Sequence, residues 1–467
     1  IPVLRFPGGA DADYVDWTET INNAPGRARF RSLYKKDADG RKTGLRFGID
    51  EFGRLKQEVG FEAILVVNLI DALAKKRPVR EAAESAAGLI AYCNAPERGK
   101  LRKTLRHWPS VRSRNGNPMP FAIEYVQLGS RLNDPGFMKQ VRDAVPHLSQ
   151  PELIQWYIDC IGVYIQLIKH ADPGIKIIID ADMGDELSRG VLSHASIQSQ
   201  VDFLSLNRDL NPASTEGMTS DQLWAAWVRA LVDSDRKEAS VLTELSEIPI
   251  AYTAWSWDPA QLNAMRVPQL LDWRMPAALG CASWLNELIR NGDKVQMATM
   301  DHLLGNNNGT SSILVNNDEA GKTQSGPQGR VTSLYSRYHG ASRLALQATG
   351  IPAFASSTPG EKEESTSRVL DIAVTASQDS IFLHTVNMSR RKQARLKVSF
   401  AGMRTSGPHT MHLLTVVQPQ TPHTAERQTY IHEQSSPVLS RSVSRSEFLL
   451  PPASVAIIEI SILRPKD

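Results

Sequence analysis

Charged and polar side chains directly follow several short apolar runs in the first two thirds of the chain. Glu244 ends one such run, in the sequence Val241-Leu242-Thr243-Glu244. A carboxylate at the end of a strand is a candidate nucleophile or general base, and an arginine such as Arg5 would keep it ionised. A helix N-cap or a surface ion pair explains the same residue equally well. The sequence therefore indicates carboxylate chemistry and leaves a structural role open.

Other polar residues follow apolar runs in the same way. They are Arg5, Asn68, Ser130, Arg131, Asp180, Asp182, Asn207 and Asp209. Cys93, Cys160 and Cys281 lie far apart, and the eleven histidines form no group with metal-ligand spacing. We therefore expect buried free thiols, no metal site and no cofactor.

The elements that must position these residues alternate between short β-branched runs and longer amphipathic stretches. This alternation is typical of βα units around a parallel sheet. The predicted strands are 3–6, 63–68, 122–129, 176–181, 201–206, 240–244 and a run at 297–304. The predicted helices are 50–59, 81–93, 151–170, 220–232 and 268–290. Seven strands are one short of a (β/α)8 TIM barrel, in which the active site lies at the carboxyl ends of the strands.

The composition changes after about Gly340, where Ser, Thr, Gln and Pro become frequent and no long helical period remains. Strands at 368–374, 380–387, 394–400 and 454–460 predict an antiparallel β-sandwich. The predicted domains are therefore a barrel at 1–341 and a sandwich at 342–467. Segments 305–329 and 356–367 are expected to be loops.

The charge balance gives no indication of a nucleic-acid or membrane-surface partner. The chain has 467 residues, with 53 Lys and Arg against 50 Asp and Glu. It contains no apolar run long enough to span a bilayer and no signal-peptide pattern. We expect a soluble protein whose compartment the sequence does not identify, and a homo-oligomer remains open.

Two surface patterns have ordinary explanations. The segment 101–114 carries five basic residues, and a solvated face is favoured over a site for an acidic glycan. Asn308-Gly309-Thr310 and Asn387-Met388-Ser389 match the glycosylation acceptor pattern, which occurs frequently by chance.

Leu4-Arg5-Phe6-Pro7-Gly8-Gly9, followed by Tyr14-Val15-Asp16-Trp17, resembles a segment of the α-L-arabinofuranosidases of glycoside hydrolase family 51. More segments match in the same order along the chain. They are 47–52, 60–68, 91–94, 115–118, 284–298, 335–340, 386–387 and 450–455. The resemblance covers nearly the whole chain and implies a (β/α)8 barrel followed by a β-sandwich.

The resemblance also implies a retaining glycosidase that releases arabinofuranose from plant polysaccharides, so its partner would be an arabinofuranosyl-containing glycan. A retaining mechanism uses two carboxyl groups about 5–5.5 Å apart. Glu244 matches the nucleophile position. Arg131 stands where the family has its acid/base Glu, and Ser130 replaces the preceding Asn that binds sugar.

Further substrate positions also depart from the family pattern. Asn207 and Asp209 stand in place of a His and a Tyr, and His302 replaces a Gln. His302 is interpreted as a pocket or core residue. Trp255 could stack on a sugar from the loop after Glu244, but buried packing under that loop explains it at least as well. The family's first barrel strand would lie upstream of Ile1, which explains the count of seven.

Three functions are compatible with these departures. The first is the family's hydrolysis, with the general acid lost at Arg131. The second is a glycosidase that uses another carboxyl as its acid, although a helix cap is favoured for each candidate: Asp134, Asp182, Asp185 and Asp209. The third is a non-catalytic carbohydrate-binding relative, in which Arg131 pairs with Glu244 or binds a uronate.

Overall fold

The computed structural model describes most of the chain. The described residues are 2–8, 10–21, 35–36, 42–43, 47–130, 134–181, 186–209, 224, 226–229, 232, 247–257, 274–305, 311–315, 323–352, 369–401, 405, 409–416, 431–438 and 445–463. The chain divides into two compact units. The first comprises Ile1–Asn207, Lys237–Trp255 and Lys294–Asp301, and the second comprises Arg208–Arg236, Ser256–Asp293 and His302–Asp467.

A seven-stranded parallel sheet forms the centre of the first unit. Its strands, in sheet order, are β1 (Val3–Phe6), β4 (Glu62–Val67), β5 (Tyr125–Leu128), β6 (Lys176–Asp180), β7 (Phe203–Asp209), β8 (Ile250–Ser256) and β9 (Val295–Met300). β1 and β9 lie against each other, so the sheet forms a nearly closed barrel. A separate hairpin joins β2 (Lys35–Lys36) to β3 (Lys42–Thr43).

Helices follow the strands of this unit, as βα connections require. They are α1 (Ile49–Val59), α2 (Ile70–Leu73), α3 (Val79–Asn94), α4 (Trp108–Arg114), α5 (Pro135–Ala144), α6 (Gln150–Ala171), α7 (Glu186–Leu192) and α8 (Ala195–Gln200). Local sequence sets their ends: Gly60 terminates α1 in the left-handed region at φ 81°, and Ser149 and Glu152 form a capping box on α6.

The inside of the barrel is layered. Near the amino ends of the strands it is apolar, with Val3, Ile64, Tyr125, Ile178, Phe203, Ala251 and Met297 packed together. Because side chains alternate along a strand, the residues two positions further on share that inner face. They are Arg5, Val66, Gln127, Asp180, Ser205, Thr253 and Thr299. The sheet thus changes from an apolar to a largely polar interior towards its carboxyl end.

In its described residues, the second unit contains two helices with defined bounds, two antiparallel sheets and one mixed sheet. The helices are α9 (Arg274–Arg290) and α10 (Pro327–Arg337). The strands are β10 (Leu304–Gly305), β11 (Ile313–Val315), β12 (Thr323–Ser325), β13 (Ser342–Arg343), β14 (Leu370–Ala376), β15 (Ser380–Asn387), β16 (Ala394–Ser399), β17 (His409–Val416), β18 (Ile431–Val438), β19 (Arg445–Leu450) and β20 (Ser454–Ser461).

A β-sandwich core lies between two of these sheets. The larger has the order β13-β14-β15-β20-β17-β18, and the smaller pairs β16 with β19. Leu383 and Ile458 from the first pack with Phe448 and Leu450 from the second. β10, β11 and β12 form a third, three-stranded sheet.

The structure confirms most of the predicted elements and corrects several. The strand next to β7 in the sheet is Ile250–Ser256, although the sequence analysis expected 240–244 in this place. Residues 240–244 lie outside the described part of the chain. The loop predicted at 305–329 is wrong in part, because it contains β11, β12 and the start of α10. The three cysteines are buried and free, as expected. The predicted domain boundary near 341 stays a prediction, and the loop at 356–367 lies outside the described residues.

The acceptor pattern at Asn387 is a chance match in the folded protein. Asn387 is buried on β15, and its Nδ2 donates hydrogen bonds to the carbonyls of Lys392, Leu450 and Pro451. The amide therefore joins the strand to two neighbouring turns. Asn308 lies outside the part of the chain that the structure describes.

Candidate active site

Arg5 on β1 connects two strands that are not neighbours in the sheet. Its Nε donates a hydrogen bond to Gln127 Oε1 at 3.0 Å, and its Nη2 donates to Ser130 Oγ. Gln127 lies on β5 and Ser130 just beyond its end, while β4 separates β5 from β1. The guanidinium therefore crosses the inside of the barrel above Val66, and two of the residues predicted for the site, Arg5 and Ser130, are in contact.

The hydrogen bonds continue from Gln127 across the barrel. Gln127 Nε2 donates to Ser205 Oγ at 3.2 Å, and Ser205 Oγ lies 2.6 Å from Thr253 Oγ1. The Thr299 hydroxyl donates to the carbonyl of Thr253 at 2.5 Å. This chain, from Arg5 through Gln127 and Ser205 to Thr253 and Thr299, is called the barrel relay below. Buried polar groups need partners, and each of these finds one on another strand.

The turn after β5 is fixed by an acidic residue from the segment after β1. Asp13 Oδ2 accepts a hydrogen bond from the Ser130 amide at 2.9 Å, and Asp13 is almost fully buried. Gly129 adopts φ 72°, and a Cβ there would come within 3.2 Å of Asp13 and 3.3 Å of Leu69. Only glycine fits this turn without strain. The backbone immediately before Arg131 is thus held in place, while Arg131 itself lies outside the described residues.

A second buried carboxylate, Asp180, lies at the carboxyl end of β6. The Tyr157 side chain on α6 is buried close to it. Burial raises the pKa of the Tyr157 hydroxyl, and the charges of Asp180 and Asp13 raise it further. This phenol is therefore protonated at neutral pH and cannot act as a base there.

A cavity of about 270 Å³ opens beside the carboxyl ends of β1 and β4. Phe6 and Tyr14 line it together with the carboxylates of Asp16, Glu19 and Asp71. Aromatic faces and carboxylates of this kind suit a polyhydroxylated ligand, because the rings stack on C–H groups and the carboxylates accept bonds from hydroxyls.

Two family models cover most of the chain. The model of the α-L-arabinofuranosidase 1 domain matches residues 1–211. The model of the α-L-arabinofuranosidase C-terminal domain matches residues 252–454. The chain belongs to the α-L-arabinofuranosidase family.

Individual members of this family are distant in sequence and close in fold. α-L-Arabinofuranosidase C of Emericella nidulans is 24% identical over 319 residues, covering 64% of this chain and 56% of that protein. The chain thus spans little more than half of this curated relative. The arabinose complex of the Thermotoga maritima enzyme superimposes with a TM-score of 0.73 at 18% identity, over 99% of this chain and 87% of the other. The GH51 arabinofuranosidase of Xanthomonas axonopodis pv. citri gives 0.71 at 18%, over 98% and 87%. These likenesses confirm the predicted barrel and sandwich.

The other predicted site residues of this arabinofuranosidase family member differ in burial and in position relative to the strands. Asn207 is half-buried near the end of β7. Trp255 is 2% exposed and lies on β8, so its expected place in a loop is wrong, whereas the alternative of buried packing agrees with the structure. His302 is exposed at φ 57° beyond β9, so the interpretation as a core residue is wrong. Four predicted residues and the side chain of a fifth lie outside the described part of the chain: Glu244, Arg131, Asp182, Asp185 and Asp209.

Asp134, a candidate for a replacement acid, caps a helix. Its Oδ1 accepts hydrogen bonds from the amides of Gly136 at 2.7 Å and Phe137 at 3.0 Å, at the start of α5. Such bonds stabilise the ionised carboxylate at a helix N-terminus. The cap favoured for Asp134 from the sequence is confirmed.

Three of the segments that carry the family resemblance meet in a buried structural network. Asp50 accepts hydrogen bonds from the Tyr92 hydroxyl and from Asn117 Nδ2. Arg112 is fully buried and donates to the carbonyls of Tyr92 and Ala95, which end α3, and to that of Asn117. These motifs stabilise the barrel rather than supply chemistry.

Sequence reasoning missed the barrel relay and Asp13. Gln127, Ser205, Thr253 and Thr299 sit inside otherwise apolar strands, and a polar residue at an inward position is the signal that could have revealed them. Asp13 carries no comparable signal, because its partner is a backbone amide more than a hundred residues away.

No helix among the described ranges is both long enough and apolar enough to cross a membrane. Within the same ranges, no three His, Cys, Asp or Glu side chains are arranged to bind a metal ion.

Proposed function

We propose that this chain is an arabinofuranosidase-like glycoside hydrolase that acts on arabinose-containing plant polysaccharides or oligosaccharides with retention of configuration. The observation that supports this most is the pair of family models, which match both halves of the chain in the family's order. Arg5, anchored by Gln127 and Ser130 inside the barrel, supplies the positive charge that a carboxylate nucleophile needs nearby.

Glu244 is proposed as the nucleophile on the strength of the resemblance. It would attack the anomeric carbon, expel the leaving alcohol and form a glycosyl ester that water then hydrolyses. Glu244 lies outside the described residues and six positions before β8, the strand that takes the place predicted for 240–244, so its role rests on the resemblance alone and is tested by mutation.

Arg131 at the acid/base position determines which substrates react. A guanidinium does not lose its proton at accessible pH, so it neither protonates a leaving alkoxide nor activates water. The loss of a positioned acid costs on the order of 10²- to 10⁴-fold in rate. We therefore propose slow hydrolysis of natural glycosides and faster reaction of aryl glycosides, whose leaving group needs no proton.

An aryl α-L-arabinofuranoside assay with azide tests both assignments. Azide attacks the glycosyl ester without a general base, so it should speed wild-type turnover and yield the azide with retained configuration. Arg131→Glu should remove the azide dependence and increase hydrolysis of arabino-oligosaccharides, and Glu244→Ala should abolish turnover. If wild type and Arg131→Glu are both inactive, with and without azide, the proposed hydrolysis is refuted.

The barrel relay favours a second candidate function, non-catalytic binding of a carbohydrate. Apart from Arg5, its members are buried amide and hydroxyl groups bonded to one another, so they transfer no proton and instead hold in place the strand ends that a sugar would contact. Calorimetry with arabino-oligosaccharides separates the two functions. The binding function is supported if the protein binds arabino-oligosaccharides, hydrolyses no furanoside and binds more weakly as Gln127→Leu. Turnover of a furanoside would exclude it.

A further inference from the structure

A cluster of cations lies on the surface of the first unit, between α3 and the end of α4. Six exposed residues form it and are called the basic platform: Arg98, Lys100, Arg102, Lys103, Arg106 and Arg114. Glu97 is the only acidic residue between positions 96 and 117, whereas the whole chain is almost balanced at +3. The positive charge is therefore a local property of this surface.

The platform cations have no carboxylate partner within the described residues. Arg102 Nη2 lies 2.9 Å from His170 Nε2, and Arg106 Nε donates to the Leu101 carbonyl at 2.7 Å, neither of which is a carboxylate. Several exposed cations elsewhere are paired. Arg80, Lys139 and Arg395 each form an ion pair with a neighbouring Glu or Asp. The platform keeps its charge available for an external anion.

The backbone beneath the platform is rigidly held. Leu101 and Leu105 are buried, and the Trp108 ring packs on Trp17 with centroids 4.6 Å apart. Arg112, in the same segment, is fully buried against the end of α3. A surface ordered in advance loses little conformational entropy when it binds a ligand.

The platform lies near the amino ends of the barrel strands. Asn94, at the end of α3, donates hydrogen bonds to the carbonyl of Ile123 before β5 and to Asp172 before β6. The residue that Arg102 contacts, His170, is in the last turn of α6, which also leads to β6. The candidate active site with Arg5 and Ser130 lies towards the opposite, carboxyl ends of these strands. Two parts of one long polymer could therefore occupy both regions.

We infer that the basic platform binds an acidic polysaccharide, a chain of uronate residues, at a site separate from the candidate active site. The choice of a polysaccharide rests on the proposed function; the preference for a polyanion rests on the platform alone. Arginine pairs with carboxylates through two parallel hydrogen bonds, and a neutral arabinan offers no group for six cations. Binding here would retain the enzyme on an acidic backbone while it processes neutral branches.

The test compares two triple variants by affinity electrophoresis and calorimetry with sodium polygalacturonate at about 0.15 M salt. Arg98→Gln, Lys100→Gln and Lys103→Gln remove three platform charges that have no side-chain hydrogen bond in the structure. The matched control, Arg80→Gln, Lys139→Gln and Arg395→Gln, removes the same charge elsewhere. The platform variant should bind about 3- to 100-fold more weakly, and the control should bind like wild type.

Equal losses in the two variants would overturn the platform as a site, because net charge alone would explain them. Tighter binding of duplex DNA or of anionic vesicles than of polygalacturonate would overturn the assignment to an acidic polysaccharide. The aryl arabinofuranoside assay is read separately and should be unchanged in the platform variant. Its failure in wild type would refute the hydrolase without affecting the polyanion result.

Discussion

Replacement of Arg112 tests how a single buried cation holds the family's sequence motifs together. Three of its hydrogen bonds are 3.0 Å or shorter, to the carbonyls of Tyr92 at 2.6 Å, Ala95 at 2.9 Å and Asn117 at 3.0 Å. In Arg112→Met these carbonyls lose their donor, at about 1–3 kcal/mol for each buried unsatisfied group. The burial of a charge, which lowers the pKa of Arg112, is relieved at the same time.

We expect Arg112→Met to lower the free energy of unfolding by about 3–5 kcal/mol after this compensation. Arg112→Lys should lose less, because its ammonium keeps the charge but cannot reach three carbonyls in different directions. Arg114→Met, two residues away and exposed, is the matched control and should change stability by less than about 0.5 kcal/mol.

Urea unfolding followed by tryptophan fluorescence measures these differences, since Trp108 is in α4 and packs on Trp17. If Arg112→Met does not fold, the Lys variant still provides the comparison with Arg114→Met. An Arg112→Met protein that unfolds within 0.5 kcal/mol of wild type would show that the carbonyls find other donors and would refute this reasoning.

Three further predictions concern the candidate site and the sandwich. Gln127→Leu removes the acceptor of Arg5 Nε and should reduce kcat on an aryl arabinofuranoside in protein that is still folded at the assay temperature. An equal loss of kcat in Asn291→Ala, a variant of the second unit, would argue against positioning. Gly129→Ala places a Cβ at φ 72° and should destabilise the protein by about 1–2 kcal/mol. If calorimetry gives the variant the same stability as the wild type, the turn is not strained by a side chain. Burial, with a smaller electrostatic contribution from the neighbouring His339, lowers the pKa of His384 to about 3. The unfolded state therefore takes up a proton at pH values where the folded state does not, and His384 should reduce stability by about 2 kcal/mol between pH 7 and 5. In urea unfolding, His384→Gln should lose less stability than the wild type between pH 7 and 5. If the two proteins show the same pH dependence, His384 does not cause the loss.

Elements with strong local patterns could be predicted from the sequence. The β-branched run in β6 and the capped, periodic sequence of α6 are each sufficient to identify the element. β8 is not predicted from the sequence, because Trp255 is interpreted there as a loop residue although it is buried in the sheet. This strand is buried on both faces because the whole barrel surrounds it, and a short stretch of sequence does not contain that information.

The candidate site was predictable in its strand ends and not in its contacts. Arg5 and Ser130 were placed together because parallel strands bring their carboxyl ends to one edge. Gln127 mediates their geometry through a side chain whose reach depends on the stagger between β1 and β5. The role of Asp13 depends on the turn at Gly129, because that turn presents the Ser130 amide to its carboxylate. The two residues are far apart in the sequence, so no local pattern predicts their contact.

The buried amide of Asn387 bears on how the protein can be produced. An oligosaccharide attached to its Nδ2 leaves one hydrogen on that nitrogen, too few for the bonds that it makes to Lys392, Leu450 and Pro451. In a host that modifies Asn-Met-Ser sequences before the sandwich closes, the sugar would keep β15 from packing against the segment around Leu450. Expression in a eukaryotic secretory pathway should therefore yield a modified, poorly folded fraction that bacterial cytosolic expression avoids.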